Sequence, residues 1–291
     1  MNGLYECHGH IMMDGADFSA ARERHRHAVD RTAVESALAA LRKAGVGYFR
    51  DGGDALGVSV LGRALAPDYG IEYVTPGFAI HKKGYYGAIV GREYETISEF
   101  RALVRELKAA GGDFVKIMLS GIITFKAYAH LSCPGLPAEE IAELVNIAHG
   151  EGLPVMVHVN GEDTVRAAAE AGVDSVEHGY FFHEDLLPLL AEKGIVWVPT
   201  LAAAEAFIGR RGIDNAGTAQ RTLDEQLRML RLAREAGVIV AAGSDSGAVG
   251  VPHGPGTVRE YELLARAGIG GEALRRGNEI LREKFSPRRT A

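Results

Sequence analysis

Short apolar runs rich in β-branched residues recur along the chain, and between them lie longer stretches whose apolar positions fall three and four apart. The first pattern reads as buried strands, the second as helices with one apolar stripe. The predicted strands are Leu4 to Gly9, Val46 to Arg50, Ile71 to Phe78, Phe114 to Leu119, Pro154 to Val159, Ser175 to His178, Ile195 to Thr200 and Val238 to Gly243. Helical spacing is plain in Val34, Leu38 and Leu41 before Gly45, and in Leu223, Leu227 and Leu230 before Gly237. Thr96-Ile97-Ser98-Glu99 and Thr257-Val258-Arg259-Glu260 have the form in which two side chains reciprocally satisfy the orphan donors of a helix start. Pro137, just before Glu139 and Glu140, suits the first turn of another helix.

Strands alternating with helices, ending in a helical pair at Thr257 to Ala267 and Gly271 to Glu283, predict an α/β fold of parallel strands. The expected architecture is a single-domain (β/α)8 TIM barrel over residues 1–285, with residues 286–291 as a basic flexible tail. A doubly wound open sheet competes, but its Gly-x-Gly-x-x-Gly after the first strand is missing. The 291 residues, 47% hydrophobic, suffice for a core of this size. A net charge of −6 gives no basic footprint for nucleic acid. Cys7 and Cys133 form neither a disulfide framework nor a zinc-finger spacing, which points to the reducing cytoplasm. Met1 to His8 lacks a signal-peptide pattern, and no apolar run reaches membrane-spanning length. The partner expected is therefore a small-molecule substrate, not nucleic acid or membrane, with a homo-oligomer left open.

Six side chains able to bind metal, His8, His10, Lys116, His158, His178 and Asp245, each stand in or at the downstream end of a predicted strand. In a parallel barrel those ends converge on one mouth. His8 and His10, two apart, leave the same strand face and would meet the Ser244-Asp245-Ser246 turn of the last strand. His25 and His27 share that spacing but lie in an Arg-rich stretch and read as a solvated face. Lys116 lies in a run apolar enough to be buried, and burial favours the neutral amine. Such an amine pairs with a carboxylate, forms a Schiff base, or adds carbon dioxide to give a carbamate able to bridge two cations. A lone strand histidine is usually a core residue bonded to a carbonyl. His158 and His178 on adjacent strands, with the other four residues, supply instead the donors that a pair of Zn²⁺-like ions needs.

The runs His8-Gly9-His10, Phe114 to Gly121, Val157-His158, Ser175 to Gly179 and Gly243 to Gly247 resemble the amidohydrolase superfamily, most closely its imidazolonepropionase-like, prolidase-like branch. The resemblance spans nearly the whole chain and includes Gly45 to Gly53. It implies a metal-dependent hydrolase that cleaves an amide or related C–N bond, cyclic or peptide-like, with a metal-bridged hydroxide. By it, His8, His10 and Asp245 hold one divalent ion, His158 and His178 a second, and Lys116, carboxylated by CO2, bridges them. Zinc is the first expectation, with manganese, cobalt or iron as substitutes. Asp245 is the implied catalytic proton carrier.

Two features depart from that family. The chain begins at its first strand and ends soon after its last helix, so the β-sandwich of many relatives is expected to be lacking. The segment His81 to Gly87 differs from the Gly-Gly-His loop common in the branch. Its cationic His81 and Lys82, together with Tyr85, Tyr128 and His253, are the substrate-binding candidates. Arg50 and Asp51 are expected as a supporting ion pair behind the metal ligands. A lactonase or phosphotriesterase on the same metal pair is the rival within enzymes. A mononuclear deaminase fits less well, since its His-x-x-Glu is absent where His158 is followed by Val159-Asn160-Gly161-Glu162. From another class, a non-catalytic barrel binding metal or ligand remains the alternative.

Overall fold

The computed structural model describes residues 3–215 and 217–286. The expected basic tail therefore lies, apart from Ser286, outside the described residues. The apolar runs become parallel strands: β1 Leu4–Gly9, β2 Val46–Asp51, β3 Glu72–Val74, β4 Ala79–Lys82, β5 Gly91–Tyr94, β6 Val115–Met118, β7 Val155–Val159, β8 Ser175–His178, β9 Val196–Val198 and β10 Ile239–Val240. The helices are α1 Phe18–Arg24, α2 Arg31–Lys43, α3 Val58–Leu65, α4 Ile97–Ala109, α5 Ala138–Gly150, α6 Glu162–Ala171, α7 Leu187–Glu192, α8 Leu201–Glu205, α9 Thr218–Glu235, α10 Pro255–Arg266 and α11 Gly271–Phe285.

The strands form one sheet in the order β1-β2-β3 and another in the order β10-β9-β8-β7-β6-β4-β5. Backbone bonds from Cys7 N to Ala242 O, Asp245 N to His8 O and His10 N to Ser246 O carry the β1 edge onto the segment after β10. On the other side β3 runs by chain continuity into β4. The expected third strand, Ile71 to Phe78, breaks there because Pro76 has no N–H to donate and Gly77 takes a left-handed φ of 79°. Asp113 bridges the gap, its backbone N donating to Thr75 O and its carboxylate accepting from Thr75 N. Strand β4 continues the row by pairing Ala79 with Lys116 of β6. His81 and Lys82 thus sit on a strand rather than a loop. Strand β5, Gly91-Arg92-Glu93-Tyr94, is too short and polar for its pattern to announce.

Helix stripes fall where the spacing put them. Val34, Leu38 and Leu41 of α2 are buried, as are Leu223, Leu227 and Leu230 of α9. Thr96 caps α4 with its reciprocal Glu99 bond. Thr257 does not cap α10, which begins at Pro255, two residues earlier. Its hydroxyl donates to Glu6, and Glu260 instead accepts from the backbone of Leu201 and Ala202 at the start of α8. The capping pattern there is satisfied by long-range partners that local sequence does not reveal. His25 is likewise buried, contrary to the solvated reading, because its ring accepts the backbone N–H of Asp30 at the turn into α2.

Leu281 and Phe285 of α11 join Tyr5, Tyr48, Phe114, Met156 and Val196 in one apolar cluster near the strand starts. The strand ends are left for polar residues. No described helix is long and apolar enough to cross a membrane.

Candidate metal centre

His8, His10, Lys116, His158, His178 and Asp245 all line one cavity of about 430 Å³ at the downstream ends of the strands. Nε2 of His8 and Nε2 of His10 each lie 3.5 Å from Asp245 Oδ1. The His8 ring centroid is 4.9 Å from that of His178, which is 4.6 Å from that of His158. Two side chains of this group are offered by backbone of unusual shape. His178 and Asp245 hold φ of 65° and 63°, and Thr200 at the end of the next strand holds 50°. Left-handed backbone in non-glycine residues is strained and gathers at functional sites. The strain at His178 is clamped, since Trp197 Nε1 and Gln226 Nε2 both donate to its carbonyl, at 3.0 and 2.6 Å.

The hydrogen bonds leave one nitrogen of several rings unprotonated and aimed at the cavity. His8 Nδ1–H donates to Glu177 Oε2 at 2.6 Å, so Nε2 keeps its lone pair. His158 Nε2–H donates to Gly121 O at 3.3 Å, which frees Nδ1. His178 Nδ1 lies 2.7 Å from Thr200 Oγ1, and donation there leaves Nε2. Burial, reinforced by the neighbouring Lys116 ammonium, holds His10 and His158 down at about 3 and His8 and His178 well below the usual imidazole range, except that at His178 the rings of His158 and His8 outweigh Lys116. All four are therefore neutral at physiological pH, the form that ligates a cation.

Lys116 carries the clearest signal. Its Nζ is buried and has no hydrogen-bond partner among the described residues, and the same holds for His10 Nδ1. Burial pulls the amine down to about 8, although Glu177 partly offsets it. Asp245 moves the other way, up to about 6, because burial outweighs the pull of Lys116. Orphaned polar atoms of this kind are rare in native proteins, and neutral imidazoles beside a free amine and a carboxylate form a donor set that fits cations.

Sequence reading placed Arg50 behind this group but gave it the wrong carboxylate and missed its actual partner, Glu177. Glu177 is fully buried, and Arg50 donates to it at 2.7 Å while also donating to Cys7 O and Ser175 Oγ. The expected Arg50–Asp51 pair does not form. Asp51 accepts instead from Tyr73 and from the backbone of Ile11 and Gly53. Gly52 packs its bare Cα against the His10 ring, where a Cβ would collide. A signal did exist: Glu177 and Arg50 are charged residues inside apolar strands, which burial permits only in pairs.

The five substrate-binding candidates stand away from the cavity lining. Lys82 Nζ pairs with Glu140 at 2.5 Å and lies over the Tyr85 ring. His81 is buried with Nδ1 3.1 Å from Lys82 O. Tyr128 lines a different, open cavity beneath the Arg221 guanidinium. His253 bonds Ser246 Oγ and Met13 O, bracing the turn that carries Asp245. Tyr86, by contrast, does line the cavity, its ring 5.0 Å from that of His158.

Residues 1–282 match the family described as "Amidohydrolase family". The chain is 29% identical over 196 residues to the ochratoxinase of Aspergillus niger, a match covering 65% of this chain and 39% of that protein. It is 32% identical over 185 residues to an uncharacterized protein of Mycobacterium tuberculosis, covering 61% and 48%. The chain thus matches less than half the length of these curated relatives. Among solved structures it superposes on a Xaa-Pro dipeptidase with bound methionine in the active site, with TM-score 0.78, 23% identity and coverage of 97% and 76%. The crystal structure of A. niger ochratoxinase gives TM-score 0.76, 22% identity and coverage of 97% and 69%.

Proposed function

Because the chain belongs to the amidohydrolase family, we propose that it is a hydrolase of amide or related C–N bonds in small molecules, of the prolidase-like branch and dependent on two divalent cations. The observation that carries this reading is the buried Lys116 amine, without a hydrogen-bond partner among the described residues, facing four neutral histidines and Asp245 across one cavity. On this reading residues 1–285 are one unit, and the bonds between β1 and the segment after β10 are the seam of a closed eight-position barrel.

His8, His10 and Asp245 would hold one cation, His158 and His178 the other, with Lys116 between them as a carbamate. The lysine reaches that state by its own chemistry. The neutral amine, favoured by burial, forms an N–C bond to CO2 and releases a proton. Bound cations would polarise the scissile carbonyl and bring the pKa of water from 15.7 towards about 7. Asp245, ionised at neutral pH although raised to about 6, takes the proton of the attacking water and returns it to the leaving nitrogen. Glu177 and Thr200 fix His8 and His178 in the ring orientation and tautomer that the site needs. Tyr86 stands beside His158 with its hydroxyl free to donate to the substrate carbonyl.

Amidase activity on a panel of small amides should vanish after exhaustive chelation and return on addition of Zn²⁺, Mn²⁺ or Co²⁺. Full activity in protein shown to be metal-free would refute the reading. Activity confined to lactones or phosphotriesters would move the chain to its rival chemistry.

A further inference from the structure

The cavity above the six site residues is walled by Phe18, Tyr86, Ile122, Phe125, Phe207 and Ile213, with further aliphatic residues between them. Three of these form an apolar rim open to solvent: Phe18 is 41% exposed, Ile122 44% and Ile213 39%. Large apolar side chains left facing water at a cavity mouth mark a surface that a ligand covers. Polar groups on the wall are mostly committed elsewhere. The Tyr180 hydroxyl donates to Thr200 O at 2.8 Å, and the Asn160 amide donates to Gly121 O at 3.2 Å.

Among the described lining residues Lys116 is the one cation, and in the proposed site it is consumed as an anionic carbamate. Lys82, which the sequence offered as a carboxylate anchor, is paired with Glu140. Arg210 is not a lining residue, and its guanidinium sits 5.2 Å from the Phe207 ring centroid. With the cations and the Tyr86 hydroxyl given to the scissile carbonyl in the proposed site, a second, anionic group in this cavity would lose its water and gain no charged side-chain partner among the described wall residues, whereas an apolar group gains in proportion to the area it buries.

We propose that the substrate moiety occupying this cavity is bulky, apolar and uncharged, an alkyl or aryl chain attached directly to the scissile amide, and that recognition uses no substrate carboxylate. This deepens, and rests on, the amide-hydrolase reading. It separates the chain from dipeptide hydrolysis, in which a free carboxylate and a free amine flank the bond.

A matched pair of compounds tests it on the metal-loaded protein: the 4-nitroanilide of hexanoic acid and the mono-4-nitroanilide of adipic acid. They share the scissile bond and chain length and differ in a terminal methyl against a terminal carboxylate. The neutral compound is expected to show at least a tenfold higher kcat/KM, and Phe207→Asp to lower that value at least tenfold. Equal values, or a preference for the adipoyl compound that disappears in Arg210→Met, would overturn the inference. If neither these compounds nor the panel of small amides is cleaved under any metal, the hydrolase reading fails by itself. Equilibrium dialysis of the same two compounds then reads the inference alone: tighter binding of the hexanoyl compound, lost in Phe207→Asp, upholds it, and equal or reversed binding ends it.

Discussion

Replacement of Lys116 by alanine is expected to abolish hydrolysis while leaving the metal-free fold intact or slightly more stable. The two effects have opposite signs because the amine does nothing for folding. It is buried without a hydrogen-bond partner among the described residues, so its removal relieves a desolvation cost rather than breaking a bond. On the proposed reading, what disappears is the bridge between the two cations. Loss of several kcal/mol of charge stabilisation corresponds to roughly three powers of ten in rate. The check pairs kcat/KM of the metal-loaded proteins on the best amide with denaturation curves of both proteins after metal removal. A variant that keeps wild-type activity, or one that unfolds, would show that Lys116 is an ordinary structural lysine.

Arg50→Met carries the largest expected effect on stability. Arg50 is fully buried, donates to Glu177, Ser175 and Cys7, and stacks 4.4 Å from the Phe285 ring centroid. Methionine preserves much of the volume but strands the Glu177 carboxylate inside the sheet, and an uncompensated buried charge costs about 3–5 kcal/mol. Adding Glu177→Gln should recover part of that loss, since the pair is then removed together. Chemical denaturation of the two single variants and the double variant forms the cycle that isolates the coupling. Additive single effects would mean that the pair is not a unit. The pair also ties the apolar cluster near the strand starts to the site, since Phe285 of α11 supports Arg50, Arg50 holds Glu177, and Glu177 orients His8.

The sequence was most legible where structure repeats. Eight apolar runs mark eight of the strands because buried parallel strands must be apolar on both faces, and the helix stripes follow from the need to cover them. The residues around Lys116 were legible for a related reason. A histidine or lysine at the end of such a run is out of place in a core, and several of them in register point to one mouth. Strand β4 was not legible, because the Pro76-Gly77 break hides the continuation of the third strand, and β5 has no apolar signature. Nor could the chain announce partners brought together only by folding. Glu177 and Arg50 lie 127 positions apart, and Thr257 meets Glu6 across 251. The pair His81 and Lys82 illustrates the converse, since basic side chains on a segment after a strand suggest a substrate anchor until Glu140 of α5 is seen to neutralise Lys82.

The most direct test is the composition of the purified protein itself, by metal analysis together with intact mass under non-denaturing conditions in bicarbonate buffer. The account predicts two divalent ions per chain and a mass increment of one carbon dioxide, both lost in Lys116→Ala. Wild-type protein that binds no divalent ion when supplied with one, or that carries its ions equally well after Lys116→Ala, would contradict it.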